Sequence, residues 1–221
     1  MHIESGHFAS HITTHLPYKL YLPPAYDPAS TQTYPLLLFL HGAGERGHDL
    51  RALVTQGLPK KLEAGDDLPF IVLAPQCPPD DWWASHSKAV IALLDSVMHK
   101  HAVDDGRVYL TGLSMGGFGT WHIASDYPDR FMAIAPICGF PGHPLQGYPQ
   151  RLARMTHMPV WAFHGEQDDV VPLSAHKYLV DALREMGGTV RWTTYPDADH
   201  DSWTVTYDNP ELYDWFLTHQ R

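Results

Sequence analysis

The chain has 221 residues and a formal net charge of −10, with 15 Lys and Arg against 25 Asp and Glu, and its basic residues form no stripe, which excludes nucleic acid as a partner. Its length is read as one domain, residues 1–221, with one substantial core, and no repeat or low-complexity stretch divides it. Met1-His2-Ile3-Glu4-Ser5 lacks a signal peptide's basic start and apolar core, the run Leu36 to Leu40 is too short to span a bilayer, and Cys77 with Cys138 makes no disulfide framework, so a cytoplasmic protein with no membrane partner is expected.

His7, His11 and His15 are spaced by four, the separation that aligns ligands on a helix. Ile12-Thr13-Thr14 and Tyr18-Lys19-Leu20 favour strand instead, where such side chains stand too far apart for one ion. No His-Glu-x-x-His or paired-cysteine spacing occurs, and no metal is expected. Tyr18 to Leu22, before Pro23-Pro24, reads as antiparallel edge strand, and Asp49 to Gly65 as a helix broken near Gly57-Leu58-Pro59.

From Pro35 onward strand-like and helix-like runs alternate. Leu36 to Leu40, Phe70 to Leu73, Val108 to Leu110, Phe131 to Ile137, Val160 to Phe163 and Val190 to Tyr195 read as buried parallel strands. Lys88 to His99 sets Val90, Leu93, Leu94, Val97 and Met98 on one helical face, and Ala175 to Met186 does so with Tyr178, Leu179, Ala182 and Leu183. The expected class is α/β, a mostly parallel central sheet with helices on both faces and antiparallel N-terminal edge strands. The longest connection, Gly139 to Met158, has room for a short helix and a flap but no large lid.

Three separated stretches carry chemistry. Gly112-Leu113-Ser114-Met115-Gly116 follows the apolar run Val108-Tyr109-Leu110 and leads into the helix-like run Gly119 to Ser125, the setting in which a sharp turn thrusts a serine out of a sheet. Alone it is weak evidence, since Gly-x-Ser-x-Gly arises by chance in roughly one of thirteen chains this long when Gly and Ser each make up about 7% of residues. The other stretches are His164-Gly165-Glu166-Gln167-Asp168 and Asp197-Ala198-Asp199-His200. The order Ser, Asp, His is the one expected of the α/β-hydrolase fold, in contrast to chymotrypsin-like and subtilisin-like enzymes. The turn His41-Gly42-Ala43-Gly44, after its own apolar run, supplies an oxyanion-hole loop. All of these follow the carboxyl end of a predicted strand, where open sheets bind ligands.

With these residues in view the chain resembles the compact carboxylesterase and predicted-peptidase branch of the α/β-hydrolase superfamily, related to dienelactone hydrolases and polyhydroxybutyrate-depolymerase-like esterases. The matching stretches are Leu40 to Gly47, Ala74-Pro75-Gln76-Cys77-Pro78, Gly112 to Gly117, His164-Gly165 with Asp168 and Val171-Pro172, His200-Asp201-Ser202-Trp203, and Pro210 to Trp215. Asp168 and Asp169 both stand in the acid loop. The resemblance places the acid three residues before the valine of the Val-Pro pair and so selects Asp168.

Ser114 is then the expected nucleophile, His200 the base that takes its proton, and Asp168 the group that fixes the imidazole tautomer. The amides of Ala43 and Met115 are the expected oxyanion donors. His41 is read as shaping its turn by a local hydrogen bond. Glu45 and Arg46 are read as a pair stiffening the loop, with Arg46 meeting a substrate carboxylate as the alternative. Trp82, Trp83, Phe140, Tyr148 and Trp203 lie on predicted crevice loops, and aromatic walls suit sugar or phenolic groups. The glycines around Ser114 lack both a phosphate-loop lysine and the dinucleotide fingerprint, so no cofactor is expected. The expected activity is cleavage of small-molecule carboxylic esters, short in the acyl group with aromatic or sugar-like alcohols. An amidase or peptidase, an acyltransferase and a noncatalytic binding protein are the rivals.

Overall fold

The structure, a computed structural model, describes residues 15–140 and 148–221, with only the backbone at 148 and 149. Of the histidine series, His7 and His11 lie outside the described residues.

Strands β1 (Tyr18–Tyr21), β2 (Tyr34–Leu40), β3 (Ile71–Pro75), β4 (Val103–Leu113), β5 (Ala133–Ile137), β6 (Val160–Gly165) and β7 (Val190–Tyr195) form one sheet in the order β1-β3-β2-β4-β5-β6-β7. β1 pairs antiparallel with β3, and every other pairing is parallel. All of β2 is buried, whereas β7, at the sheet's edge, is half-exposed. This is the mostly parallel sheet with an antiparallel edge that the sequence pattern implies. β4 begins earlier than its apolar stretch because Asp104, Asp105 and Arg107 occupy its more exposed first half.

Helices α1 (Gly57–Glu63), α2 (Ser87–Lys100), α3 (Met115–Asp126), α4 (Tyr148–Leu152), α5 (Leu173–Glu185), α6 (Ser202–Asp208) and α7 (Pro210–Leu217) surround the sheet. The two-residue period of β2 divides the core between its faces. Leu36, Leu38 and Leu40 join Val90 and Leu94 of α2, Trp121 of α3 and Leu179 of α5. Leu37 and Phe39 join Leu58 of α1, Tyr207 of α6 and Phe216 of α7. Burying a side chain such as Leu38 contributes roughly 2 kcal/mol before entropy is set against it.

The stretch Asp49 to Gly65 is interrupted beside Gly57 as expected: the 3₁₀ turn Ala52–Val54 ends, Gln56 is extended, and α1 starts at Gly57, with Pro59 tolerated because a proline in the first turn removes an N–H that has no intrahelical acceptor. On α5, Leu179 and Leu183 are buried as expected and Ala182 packs beside them, but Tyr178 is 42% exposed, and the buried His176 and Val180 complete the inner face in its place.

The chain passes from β2 to β3 on one side, then returns to β4 on the other side of β2. Such a reversal leaves a crevice at the strands' carboxyl ends. The turns after β2 and β4 carry the His41 loop and Ser114 to that place.

Candidate active site

The elbow after β4 is held by strain and by close packing. Ser114 has φ 53° and ψ −115°, a left-handed conformation that costs a non-glycine residue energy. It is tolerated only because α3 begins at once, and because Gly112 and Gly116, two residues away on either side, have no side chains. A Cβ on Gly116 would lie 1.9 Å from the carbonyl oxygen of Leu40, and one on Gly112 2.5 Å from that of Gly116. The Ser114 amide donates to the carbonyl of Ile137 at 3.0 Å, tying the elbow to the end of β5.

The candidate acid, Asp168, sits in the loop between β6 and α5. Oδ1 of Asp168 accepts the amides of Val170 and Val171 at 2.9 and 2.8 Å, which turns Oδ2 toward Nδ1 of His200, 2.8 Å away. The Asp168 side chain is fully buried. Asp169 is exposed. His200 follows β7, and its Nε2 lies 3.0 Å from Oγ of Ser114. A carboxylate only accepts, so Nδ1 of His200 carries the proton and Nε2 offers a lone pair to the serine hydroxyl, the tautomer a general base requires. Asp201 caps α6 by accepting the Thr204 amide at 3.0 Å, and Trp203 stands edge-on to the His200 ring, 5.2 Å between centroids. The stretch after His200 thus packs against that ring.

The loop after β2 is set by His41. The Cys77 amide donates to its Nε2 at 2.9 Å, so its proton is on Nδ1 and is given to the Gly42 carbonyl at 2.6 Å. Burial lowers its pKa to about 4, which keeps the ring neutral. The amide of Ala43 opens the 3₁₀ turn Ala43–Glu45 and that of Met115 opens α3. Amides at such starts have no acceptor within their own turn. Arg46 does stiffen the loop, but through backbone, donating to Ala43 at 2.9 Å and to Asp81 at 3.3 Å rather than pairing with Glu45. Glu45 is buried, which raises its carboxyl pKa, and its Oε2 has no hydrogen-bond partner.

The expected aromatic wall divides. Trp82 is 42% exposed and meets Phe118 and Phe140 edge-on, each at 6.0 Å, while those two rings stack at 5.4 Å. Trp83 is not part of any wall. It is fully buried, its indole N–H donates to the His41 carbonyl at 3.0 Å, and it packs against Gly119, so it offers a ligand no face. The side chain of Tyr148 lies outside the described residues. Phe118, one turn beyond Ser114, and His164, whose Nε2 lies 3.2 Å from Oδ2 of Asp168, were not anticipated. The four-residue spacing from Ser114 and the His-Gly doublet were the available signals.

Ligand atoms of Cys138, Asp168 and His200 lie within 4.8 Å of one another. Asp168 and His200 are already bonded to each other, and burial and the nearby Asp168 carboxylate raise the Cys138 pKa, so the group does not make a thiolate metal site. Cys77 and Cys138 are unpaired and buried.

The phospholipase/carboxylesterase family model matches residues 81–209, a span holding Ser114, Asp168 and His200. A thermostable esterase of known crystal structure is 34% identical, with a TM-score of 0.77 over 93% of this chain and 60% of that one. Acyl-protein thioesterase 1 of Gibberella zeae is 25% identical over 87% of this chain and 94% of its own length. A secreted protein of Arthroderma benhamiae is 26% identical over 75% of this chain, which spans only 21% of that protein. No helix among the described residues is long and apolar enough to cross a membrane.

Proposed function

The chain belongs to the phospholipase/carboxylesterase family, and from that premise we propose that it hydrolyses carboxylic esters through an acyl-enzyme on Ser114. The observation that carries this reading is the unbroken hydrogen-bonded line from Asp168 through His200 to Ser114, with links of 2.8 and 3.0 Å. His200 takes the hydroxyl proton as Oγ attacks the ester carbonyl. The oxyanion is met by the amides of Ala43 and Met115, each such donor being worth about a hundred- to a thousandfold in rate. His200, held as imidazolium by ionised Asp168, protonates the leaving alkoxide. Water then attacks the acyl-enzyme by the same route in reverse and frees Ser114.

The substrate we assign is a small ester with a short acyl group and an aromatic or sugar-like alcohol. Exposed Trp82, edge-on to the stacked Phe118 and Phe140, supports a flat-faced alcohol site. Among its described residues the connection from β5 to β6 holds only α4 and the 3₁₀ turn Ala153–Met155, which supports an open site without the hidden apolar surface of long-chain lipases. We take residues 1–221 to act as one hydrolase domain, and assign it to the cytoplasm on its two unpaired thiols.

The test is kcat/KM across nitrophenyl esters from two to sixteen carbons, with aryl esters, acetylated sugars and matching anilides, for wild type beside Ser114→Ala. A maximum at about four carbons or fewer agrees with a shallow acyl pocket selected by transition-state binding. A maximum at twelve or more, or anilides cleaved as fast as esters, contradicts the substrate assignment.

A further inference from the structure

Behind Asp168 lies a line of buried polar rings that the proposed reaction leaves unused. Trp121 of α3, His164 of β6 and His176 of α5 are all fully buried. The indole N–H of Trp121 lies 3.0 Å from Nε2 of His176. An indole nitrogen can only donate, so this Nε2 is bare. Burial and the neighbouring His164 hold the His176 pKa well below its ordinary value, so the ring is neutral and its one proton is on Nδ1.

Nδ1 of His176 lies 3.1 Å from Nδ1 of His164, a gap with room for one proton. Since His176 supplies it, Nδ1 of His164 is bare. Burial lowers the His164 pKa too, so its single proton is on Nε2. That N–H lies 2.9 Å from the Val171 carbonyl and 3.2 Å from Oδ2 of Asp168, and the Val171 amide in turn donates to Oδ1 of Asp168 at 2.8 Å. The opposite tautomer would point a lone pair at two oxygens. Trp192 keeps the rings from turning, standing 5.1 Å from His176 and 6.2 Å from His164 between centroids.

We propose that His164, locked as its Nε2–H tautomer by Trp121 through His176, is the positioning residue that holds the Asp168 carboxylate and its Val171 clamp in the orientation His200 needs. His164 touches neither substrate nor Ser114; it acts through Asp168. The proposal rests on the serine-triad reading above.

Nitrogen-15 NMR of the histidine rings in the folded wild-type protein tests the tautomers without any substrate, and kinetics of three variants test their effect. The expected spectrum has His164 protonated on Nε2 and His176 on Nδ1 across neutral pH. His164→Leu, which leaves Asp168 without this donor, should lower kcat about ten- to a hundredfold with KM within about twofold, less than the about ten-thousandfold lost when a triad aspartate becomes asparagine. His164→Gln, which can still present an N–H, should recover most of kcat. Trp121→Phe, which frees the tautomers, should show a second His164 form in the spectrum and an intermediate kcat. A wild-type His164 protonated on Nδ1, or a folded His164→Leu with wild-type kcat, overturns the proposal alone. Full activity in Ser114→Ala overturns the reading beneath it and the proposal together.

Discussion

A Cβ on Gly165 would lie 2.1 Å from the carbonyl oxygen of Asp199. The loop after β6, which carries Asp168, and the loop after β7, which carries His200, therefore touch backbone to backbone. The Gln167 amide bonds the Ala198 carbonyl at 3.0 Å in the same contact. Gly165→Ala must push the loops apart, because main-chain atoms cannot rotate away as a side chain can. The expected cost is about 2 kcal/mol of stability, with kcat down tenfold or more as the Asp168–His200 bond lengthens. Urea denaturation and steady-state kinetics on one preparation check both, and an unchanged kcat in a fully folded variant contradicts the coupling.

Asp168 and Asp169 are adjacent, yet one is buried against His200 and the other is exposed. Asp168→Asn gives Nδ1 a partner that favours the wrong imidazole tautomer and should lower kcat by about a thousand- to ten-thousandfold. Asp169→Asn should stay within about twofold. A crippled Asp169→Asn beside a mild Asp168→Asn would show that the other carboxylate serves His200.

Trp82 and Trp83 should separate binding from folding. Trp82→Ala removes a half-exposed face and should raise KM several-fold for aryl esters while leaving short alkyl esters and stability nearly unchanged. Trp83→Ala empties a buried site and removes the donor to the His41 carbonyl, at about 3–5 kcal/mol. A Trp82→Ala enzyme with unaltered aryl-ester KM removes that ring from the substrate site.

Buried neutral histidines make acid stability a direct readout. His41 has its pKa lowered from 6.5 to about 4. Below pH 6.5 the unfolded chain takes up the proton while the folded one does not, so stability falls as pH falls, by up to about 3 kcal/mol on reaching pH 4, and this group adds nothing further below that. His164 and His176 act in the same direction. The urea midpoint should drop steeply between pH 6.5 and 4, and His41→Gln should flatten the slope by about one proton. A wild-type midpoint level across that window would show that His41 titrates normally.

The sheet was legible in the sequence wherever burial is complete on both faces, as in β2 and β6, since such strands read as unbroken apolar runs. β4 was legible only in its second half, because its exposed start is charged. Ser114, Asp168 and His200 could be named because the elbow, the loops and their order leave marks in sequence, and the structure brings those three side chains together. What could not be read was polar packing. His176 looks like a surface residue until Trp121 gives it a donor, and Trp82 differs from its neighbour Trp83 only in which way the loop turns them.

The central claim is that Ser114 is the nucleophile, and mass spectrometry after treatment with an active-site phosphonate tests it most directly. One adduct per chain, on Ser114, forming in step with loss of esterase activity and absent from Ser114→Ala, is the predicted result. Loss of activity with the adduct on another residue, or an unlabelled Ser114 in fully inactivated enzyme, would contradict the account.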